Sequence, residues 1–511
     1  MLSPARVATA ALLVLLALAN CQLAHSDPPA KPSASAKRAT AKRSAPIKKP
    51  EKPAARPDPV EQNGPIFKDW PKPKLALVLT GEQLGYIEPC GCAGLENQKG
   101  GLRRRHTFLK QLEKEGWPVI ALDNGGLIRR FGREAEIKYR KTAEGLKTMG
   151  YNAIGFGVED LKLPGGALAS AVVESELFVS ANVSLFAADF GFPQKFVVAE
   201  AGGMKVGVTG VLGDRLQKQV TNNEVVFQPA KKALAEVVPE LKKAKCDLYV
   251  LLSYADIEET TALAKAFPLF QVVLMAHGAD EPPHESKKVS GTNTLLVEVA
   301  HKGMYAITLG FYDDKSEPVR YQRVPLDHRF ADSPEMDELM VNYQEELKEL
   351  GWNGLGLRTA PHPGGDFVGS ESCADCHDKE FNIWRQTPHA HATETLTRAK
   401  PPRQFDPECI SCHATGWNPQ EFFPYRSGYE SLKATPLLAG SGCENCHGPG
   451  AEHVAAENGD NKALQRKLRE LLKRTSTGAA KEAQRDNCMR CHDIDNSPDF
   501  DFDAYWDKVK H

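Results

Sequence analysis

The chain has 511 residues, 41% hydrophobic and 25% charged, with a formal net charge of −2. That length admits two or three domains with ordinary cores. The balanced charge gives no global pull toward nucleic acid, so no nucleic-acid partner is expected.

Residues 1–21 read as a signal peptide. Arg6 supplies the positive charge, and Ala10 to Ala19 is an apolar run too short to span a bilayer comfortably. Two processing routes stay open. Ala17-Leu18-Ala19 fits cleavage that leaves a soluble protein, whereas Leu18-Ala19-Asn20-Cys21 fits a lipoprotein signal with membrane anchoring through Cys21. Both predict an exported protein, periplasmic or anchored in a bacterial cell envelope. Residues 22–73 form a basic Pro/Ala/Lys linker with too few apolar residues to build a core, expected to be a disordered tether.

From residue 74 to 330, short apolar runs such as LALVLT, VIALDNGG, KVGVTGVLG and DLYVLLSY alternate with helix-like stretches at 134–149 and 229–244. This pattern predicts an α/β domain. TLLVEVA and YAITLGFYD, separated by His301-Lys302-Gly303-Met304, read as an antiparallel pair closing the domain near Pro325. Early in this domain, YIEPCGCAG places Cys90 and Cys92 one residue apart. Residues 331–365 form a helical connector and loop. Ser333 caps a helix with Pro334 in its first turn, and Gly351 stops it.

Residues 366–511 are poor in aliphatic runs yet hold eight of the twelve cysteines. These eight make four C-x-x-C-H motifs: Cys373–Cys376–His377, Cys409–Cys412–His413, Cys443–Cys446–His447 and Cys488–Cys491–His492. The spacing is the attachment signature of c-type haem: two thiols add to the vinyl groups and the adjacent histidine ligates the iron as proximal ligand. Four covalent haems are therefore expected, with the porphyrins forming much of the core of a mostly helical domain. His362, His389, His391, His453 and His511 are the distal candidates. His389 and His391, two apart on a helix, are expected to face opposite sides and serve different haems. Redox partner proteins follow from this reading.

Two resemblances extend it. GSESCADCHDKEFNIWRQTPHAHATETL, CISCHATGW and CENCHGPGAEHV make residues 369–511 resemble the tetrahaem cytochrome c family that accepts electrons from hydroxylamine oxidoreductase. This implies closely stacked, mostly bis-histidine haems that transfer electrons. The front domain resembles a 5′-nucleotidase-type calcineurin-like metallophosphoesterase through Gly100-Gly101-Leu102-Arg103-Arg104, Leu122 to Gly126, Gly150 to Asp160, Ser180-Ala181-Asn182, Leu252-Ser253-Tyr254 and Ala276 to Ala279. The resemblance implies a metallophosphoesterase-like sandwich. It is degenerate, because Gly126, Val158, Glu159, Tyr254 and Ala279 stand where that family carries metal ligands. A two-metal hydrolase needs Asp, Asn and His to bracket its ions.

Glu88, Cys90, Cys92, Asp123 and His277 remain as a residual set that could hold an additional metal ion. Cys90 and Cys92 are equally candidates for a reactive thiol site or for a structural role, such as a disulfide between them or with Cys246. The leading functional expectation is an exported multihaem cytochrome whose degenerate front domain binds a partner or ligand. A redox enzyme using Cys90 and Cys92, and a metal-dependent hydrolase of 5′-nucleotidase type, are the alternatives.

Overall fold

The computed structural model describes residues 58–89, 99–186, 192–279, 281–474, 478–493, 496–497 and 500–511. The signal, most of the linker, Cys21, Cys90 and Cys92 lie outside the described residues.

Two large sheets form the front domain, beside a small antiparallel pair of Val183–Leu185 with Val225–Phe227. The strands are β1 (Leu75–Thr80), β2 (Val119–Asp123), β3 (Tyr151–Ile154), β4 (Val197–Ala201), β5 (Met204–Leu212), β6 (Leu248–Tyr254), β7 (Val272–Ala279), β8 (Lys287–Lys288), β9 (Leu295–Ala300), β10 (Tyr305–Phe311) and β11 (Val319–Pro325). The first sheet runs β11-β10-β1-β2-β3 and the second β8-β9-β7-β6-β5-β4. Their central strands pair in parallel. Such strands are covered on both faces, which explains the continuous apolar runs. Every residue of β1 and of β6 is buried. The two-residue alternation divides β6 between two cores: Leu248, Val250 and Leu252 join the cluster shared with β1, while Tyr249 and Leu251 pack with Leu234, Val237 and Leu241.

The helices α1 (Leu102–Lys114), α2 (Arg133–Thr148) and α3 (Ala230–Lys243) supply the outer layers. The latter two lie within a residue of the ends that the sequence pattern suggests. The expected pairing of TLLVEVA with YAITLGFYD does not form. β9 pairs in parallel with β7 in the second sheet, and β10 pairs antiparallel with β1 in the first. The chain changes layer at His301–Gly303, where Lys302 takes a φ of 63°. A four-residue link has hairpin length, but here each strand finds its partner in a different sheet. The hairpin is β10–β11, in register from Tyr305↔Pro325 to Phe311↔Val319.

Helix α4 (Pro334–Gly354) starts as its sequence indicates, with Ser333 Oγ accepting from Met336 N at 3.5 Å. Gly351 breaks its geometry at a φ of 58°. This helix is more than a connector: Met336, Leu339, Met340, Tyr343 and Leu347 are part of the front-domain core.

Beyond it the chain folds into short helices, among them α5 (Pro407–His413), α6 (Ala451–Glu457), α7 (Lys462–Leu472) and α8 (Phe502–Val509). Their apolar cluster among the described residues holds Leu396, Ile410, Ala414, Trp417, Tyr429 and Leu438. No helix among the described residues is long and apolar enough to cross a membrane.

Candidate haem-binding centre and the front-domain cleft

A C-x-x-C-H segment wound as one helical turn puts its thiols and imidazole on one side, because positions i, i+3 and i+4 share a face. The motifs take this form. His377 N donates to Cys373 O at 2.9 Å, and His492 N to Cys488 O at 2.9 Å. The second motif ends α5, which Asp406 caps through Glu408 N at 3.0 Å. The third occupies the helix Cys443–His447, stopped by Gly448 at a φ of 88°.

Three of the four motif histidines are oriented through Nδ1. That of His413 donates to Ala392 O at 2.8 Å, that of His447 to Leu472 O at 2.8 Å, and that of His492 lies 2.9 Å from Ser497 Oγ. Tying down Nδ1 leaves Nε2 as the ligand atom. Burial lowers the pKa of His389, His447 and His492, which favours the neutral ring that a metal requires.

Three motif histidines face another histidine. Ring centres lie 6.4 Å apart for His377–His453, 5.9 Å for His389–His492 and 5.9 Å for His447–His511. Two imidazoles that ligate one ion from opposite sides, through bonds of about 2 Å, hold their ring centres roughly 6 Å apart. The residues present thus fit a bis-histidine haem at each of these pairs. The scarcity of aliphatic core agrees, since a porphyrin needs apolar surroundings that this segment does not fill with its own side chains. The motifs also approach one another: Cys373 lies beside Cys443, and Cys412 beside Cys491.

Two of the five distal candidates go elsewhere. His391 is exposed, with Nε2 3.2 Å from Arg385 O and Nδ1 3.5 Å from Glu394. His362 accepts from Gly364 N at 2.9 Å and sits edge-on to Tyr425. Of the two, His389 faces a motif histidine and His391 does not. Residues 388–391 form a tight 3-10 turn, from which only His389 points to a motif.

Other contributors carried no sequence signal. The Glu444 carboxylate, inside the third motif, is buried and accepts from Gly369 N and Gly450 N at 2.7 Å each. Arg474 donates to Cys446 O at 2.7 Å and His447 O at 2.8 Å. Both fix the loops around that motif.

Of the residual metal set in the front domain, the side chains of Asp123 and Glu88 are among the described residues, and each has other partners. Asp123 is fully buried, 2.6 Å from Thr80 Oγ1, 2.9 Å from Gly125 N and 3.5 Å from the equally buried Arg105 guanidinium. Burial raises the Asp123 pKa, while Arg105 and Thr80 oppose the rise. Glu88 pairs instead with Arg103 at 2.6 Å and with Arg403. The His277 side chain, like Cys90 and Cys92, lies outside the described residues. Glu159 pairs with Lys162 at 2.6 Å. Asp160 accepts from Gly126 N and Gly157 N at 2.8 Å each, and burial pushes its carboxyl up to about 6.

The space beside Gly126 is filled. A Cβ there would meet Tyr254 Oη at 3.1 Å and Glu82 Cα at 3.2 Å, and one on Gly157 would come within 2.5 Å of Gly126. Tyr254 Oη in turn donates to Glu82 at 3.2 Å.

Residues 372–448 match the family model "Cytochrome c554 and c-prime". The C-terminal segment carries a domain of this family. Cytochrome c-554 of Nitrosomonas europaea is 30% identical over 143 residues, 25% of this chain and 57% of that protein. The apyrase of Tabanus yao is 26% identical over 290 residues, 49% of this chain and 50% of that protein. The chain thus spans about half the length of the curated relatives it matches. A 5′-nucleotidase precursor from Thermus thermophilus superposes with a TM-score of 0.46 at 18% identity, covering 58% of this chain and 62% of that one. The cytochrome c554 domain implies c-type haems. Its matched residues include the first three motifs and end before the fourth.

Proposed function

We propose that the chain is an exported multihaem cytochrome that holds four c-type haems and passes electrons between redox partner proteins. The observation that carries this reading is the set of three histidine pairs, each joining a motif to a distant part of the chain at 5.9–6.4 Å. When bound, the haems supply reversible one-electron chemistry. The protein's part is to attach them through Cys373, Cys376, Cys409, Cys412, Cys443, Cys446, Cys488 and Cys491, and to hold His377, His413, His447 and His492 by their Nδ1 atoms or their helical turns. His453, His389 and His511 would supply the second imidazole to the first, fourth and third. Bis-histidine ligation changes little between oxidation states, which suits electron transfer.

The front domain is, in this reading, a non-hydrolytic support. Arg105 occupies the electrostatic place of a cation beside Asp123, and Tyr254 fills the volume next to Gly126. Export follows from residues 1–21, with Cys21 as the anchor if it is lipidated.

The test is the haem content of the full-length protein purified from a host that matures c-type cytochromes. Mass and pyridine haemochrome should give four covalent haems per chain, with low-spin spectra dominating. A lower content, or spectra that do not respond to reductant, overturns the reading. Phosphate release from nucleotides with added divalent metals should stay at background. Metal-dependent turnover abolished by Asp123→Ala would restore the hydrolase alternative.

A further inference from the structure

The helix bearing the second motif is gripped by residues that belong to the front domain. Glu408 immediately precedes Cys409. Its carboxylate receives Lys138 Nζ at 2.6 Å and the Arg130 guanidinium, and Arg130 also lies 3.6 Å over the Phe422 ring. Lys138 bridges onward to Glu134 at 2.8 Å. From α4, the Tyr343 hydroxyl lies 2.6 Å from Glu134 and 3.2 Å from Asp406, and Gln344 donates to Asp406 at 3.3 Å. Arg129 adds its field on Glu408 from outside the direct contacts. Lys138, Tyr343, Gln344 and Asp406 are all buried.

Three carboxylates here share two directly bonded cations. Their states are set differently. Burial works against the charge of Glu408, but Lys138 and Arg130 outweigh it and hold its pKa down. At Glu134 burial raises the pKa, Lys138 opposes, and the neighbouring Glu408 and Asp406 add to the rise. Glu134 has Lys138 as its directly bonded cation and shares it with Glu408, which also has Arg130, so of the two glutamates Glu134 binds a proton more readily. A charge that changes by one unit on a haem attached one residue beyond Glu408 acts on this cluster through buried protein, where Coulomb interactions are weakly screened.

We propose that Glu134 is a redox-linked proton acceptor for the second motif, so that the front domain is a working part of the electron-transfer unit. In the forward step a partner protein delivers one electron to the haem held at Cys409 and Cys412, and one proton passes from solvent to the Glu134 carboxylate. Oxidation releases both. The step leaves the net charge of haem and cluster unchanged. Arg130, Glu134 and Lys138 all lie outside the cytochrome c554 match, so this coupling is specific to a chain that joins the two domains. The inference rests on the multihaem reading above.

The experiment is a spectroelectrochemical titration of the full-length haem-loaded protein at pH values from about 5 to about 9. One component should fall in potential as pH rises above the ordinary carboxylate range. Its limiting slope is about 59 mV per pH unit, the value for a tenfold change in proton concentration against one electron. Loss of that component in Cys412→Ala assigns it to the second motif. Glu134→Gln should flatten the slope of this component and leave the others in place. Tyr343→Phe should keep the slope but move its window to higher pH, because a hydrogen bond favouring the carboxylate is gone. This second variant retains Glu134 and carries the test if Glu134→Gln does not fold. A slope unchanged in Glu134→Gln, a uniform shift of all components, or a Tyr343→Phe window that stays in place overturns the proposal. Haem content on the same samples separates the two readings. Four reversible haems with pH-independent potentials sink only the proton coupling, whereas missing haems sink the cytochrome itself.

Discussion

Asp123→Asn tests whether Asp123 serves a structural ion pair. In the structure Asp123 and Arg105 are both 0% exposed, and the guanidinium stands 3.5 Å from the carboxylate. Removing the carboxylate charge leaves a buried cation without its partner. Breaking a buried pair in this way costs about 3–5 kcal/mol. At about 2–4 °C per kcal/mol for a domain of this size, the front-domain transition should fall by roughly 6–20 °C. Replacing Arg105 with Met in the same chain removes the stranded charge. Asp123→Asn with Arg105→Met should therefore be more stable than the single variant, and the cycle should show a coupling of about 0.5–3 kcal/mol. Thermal unfolding followed by far-ultraviolet circular dichroism, with the Soret band recorded in parallel, separates the front-domain transition from haem release. If Asp123 were a metal ligand instead, chelator would lower the transition of the parent protein, and Asp123→Asn would abolish that response. A chelator-sensitive transition, or an Asp123→Asn variant as stable as the parent, would refute the ion-pair reasoning.

Three other outcomes follow from the same geometry. His453→Ala, His389→Ala and His511→Ala should each convert one haem from low-spin to ligand-accessible, seen as carbon monoxide binding to the reduced protein, while His391→Ala and His362→Ala leave the spectrum unchanged. Asp160 has a folded-state pKa of about 6 against an ordinary value of 3.8. Because the folded state binds this proton more tightly, the stability it contributes is full below pH ~4 and declines by about 3 kcal/mol as pH rises through 6, at 1.36 kcal/mol per unit; urea titrations should show the decline, and Asp160→Asn should flatten it. Ser333→Ala removes the cap of α4 and should cost about 1 kcal/mol, read in the same titrations, without altering any haem potential.

What the sequence discloses depends on whether the chemistry is local. The haem motifs are legible because thioether attachment and ligation impose the i, i+3, i+4 spacing within five residues. Distal ligation imposes no spacing. His389 and His391 are indistinguishable in sequence, yet one turns toward His492 and the other toward solvent and Arg385. His511 looks like a frayed terminus until α8 brings it to His447. The same holds for the sheets. Apolar runs announce the strands, but a four-residue link did not reveal that β9 and β10 belong to different layers. The Glu134–Lys138–Glu408 cluster joins residues up to 274 positions apart in ordinary amphipathic helices, so nothing local marks it.

The packing of the cleft and of the domain seam bears on why a phosphoesterase-like domain persists beside a cytochrome. Gly126 and Gly157 approach so closely that a side chain on either must displace Tyr254 or backbone. Placing an aspartate at position 126 would have to overcome that crowding at a φ of 72°, a left-handed conformation that glycine adopts more readily than residues with a Cβ. The front domain is thus committed to its filled form. Its contacts with the other domain are correspondingly developed. Glu88 holds Arg403, Arg130 and Lys138 hold Glu408, and α4 contributes both to the front-domain core and to Asp406. These contacts converge on residues 403–408, the segment leading directly into the second motif. A domain kept only as a spacer would need none of them. In the proposed reading, these charges stand beside the attachment site of the second haem, where a front domain that conditions that haem would place them.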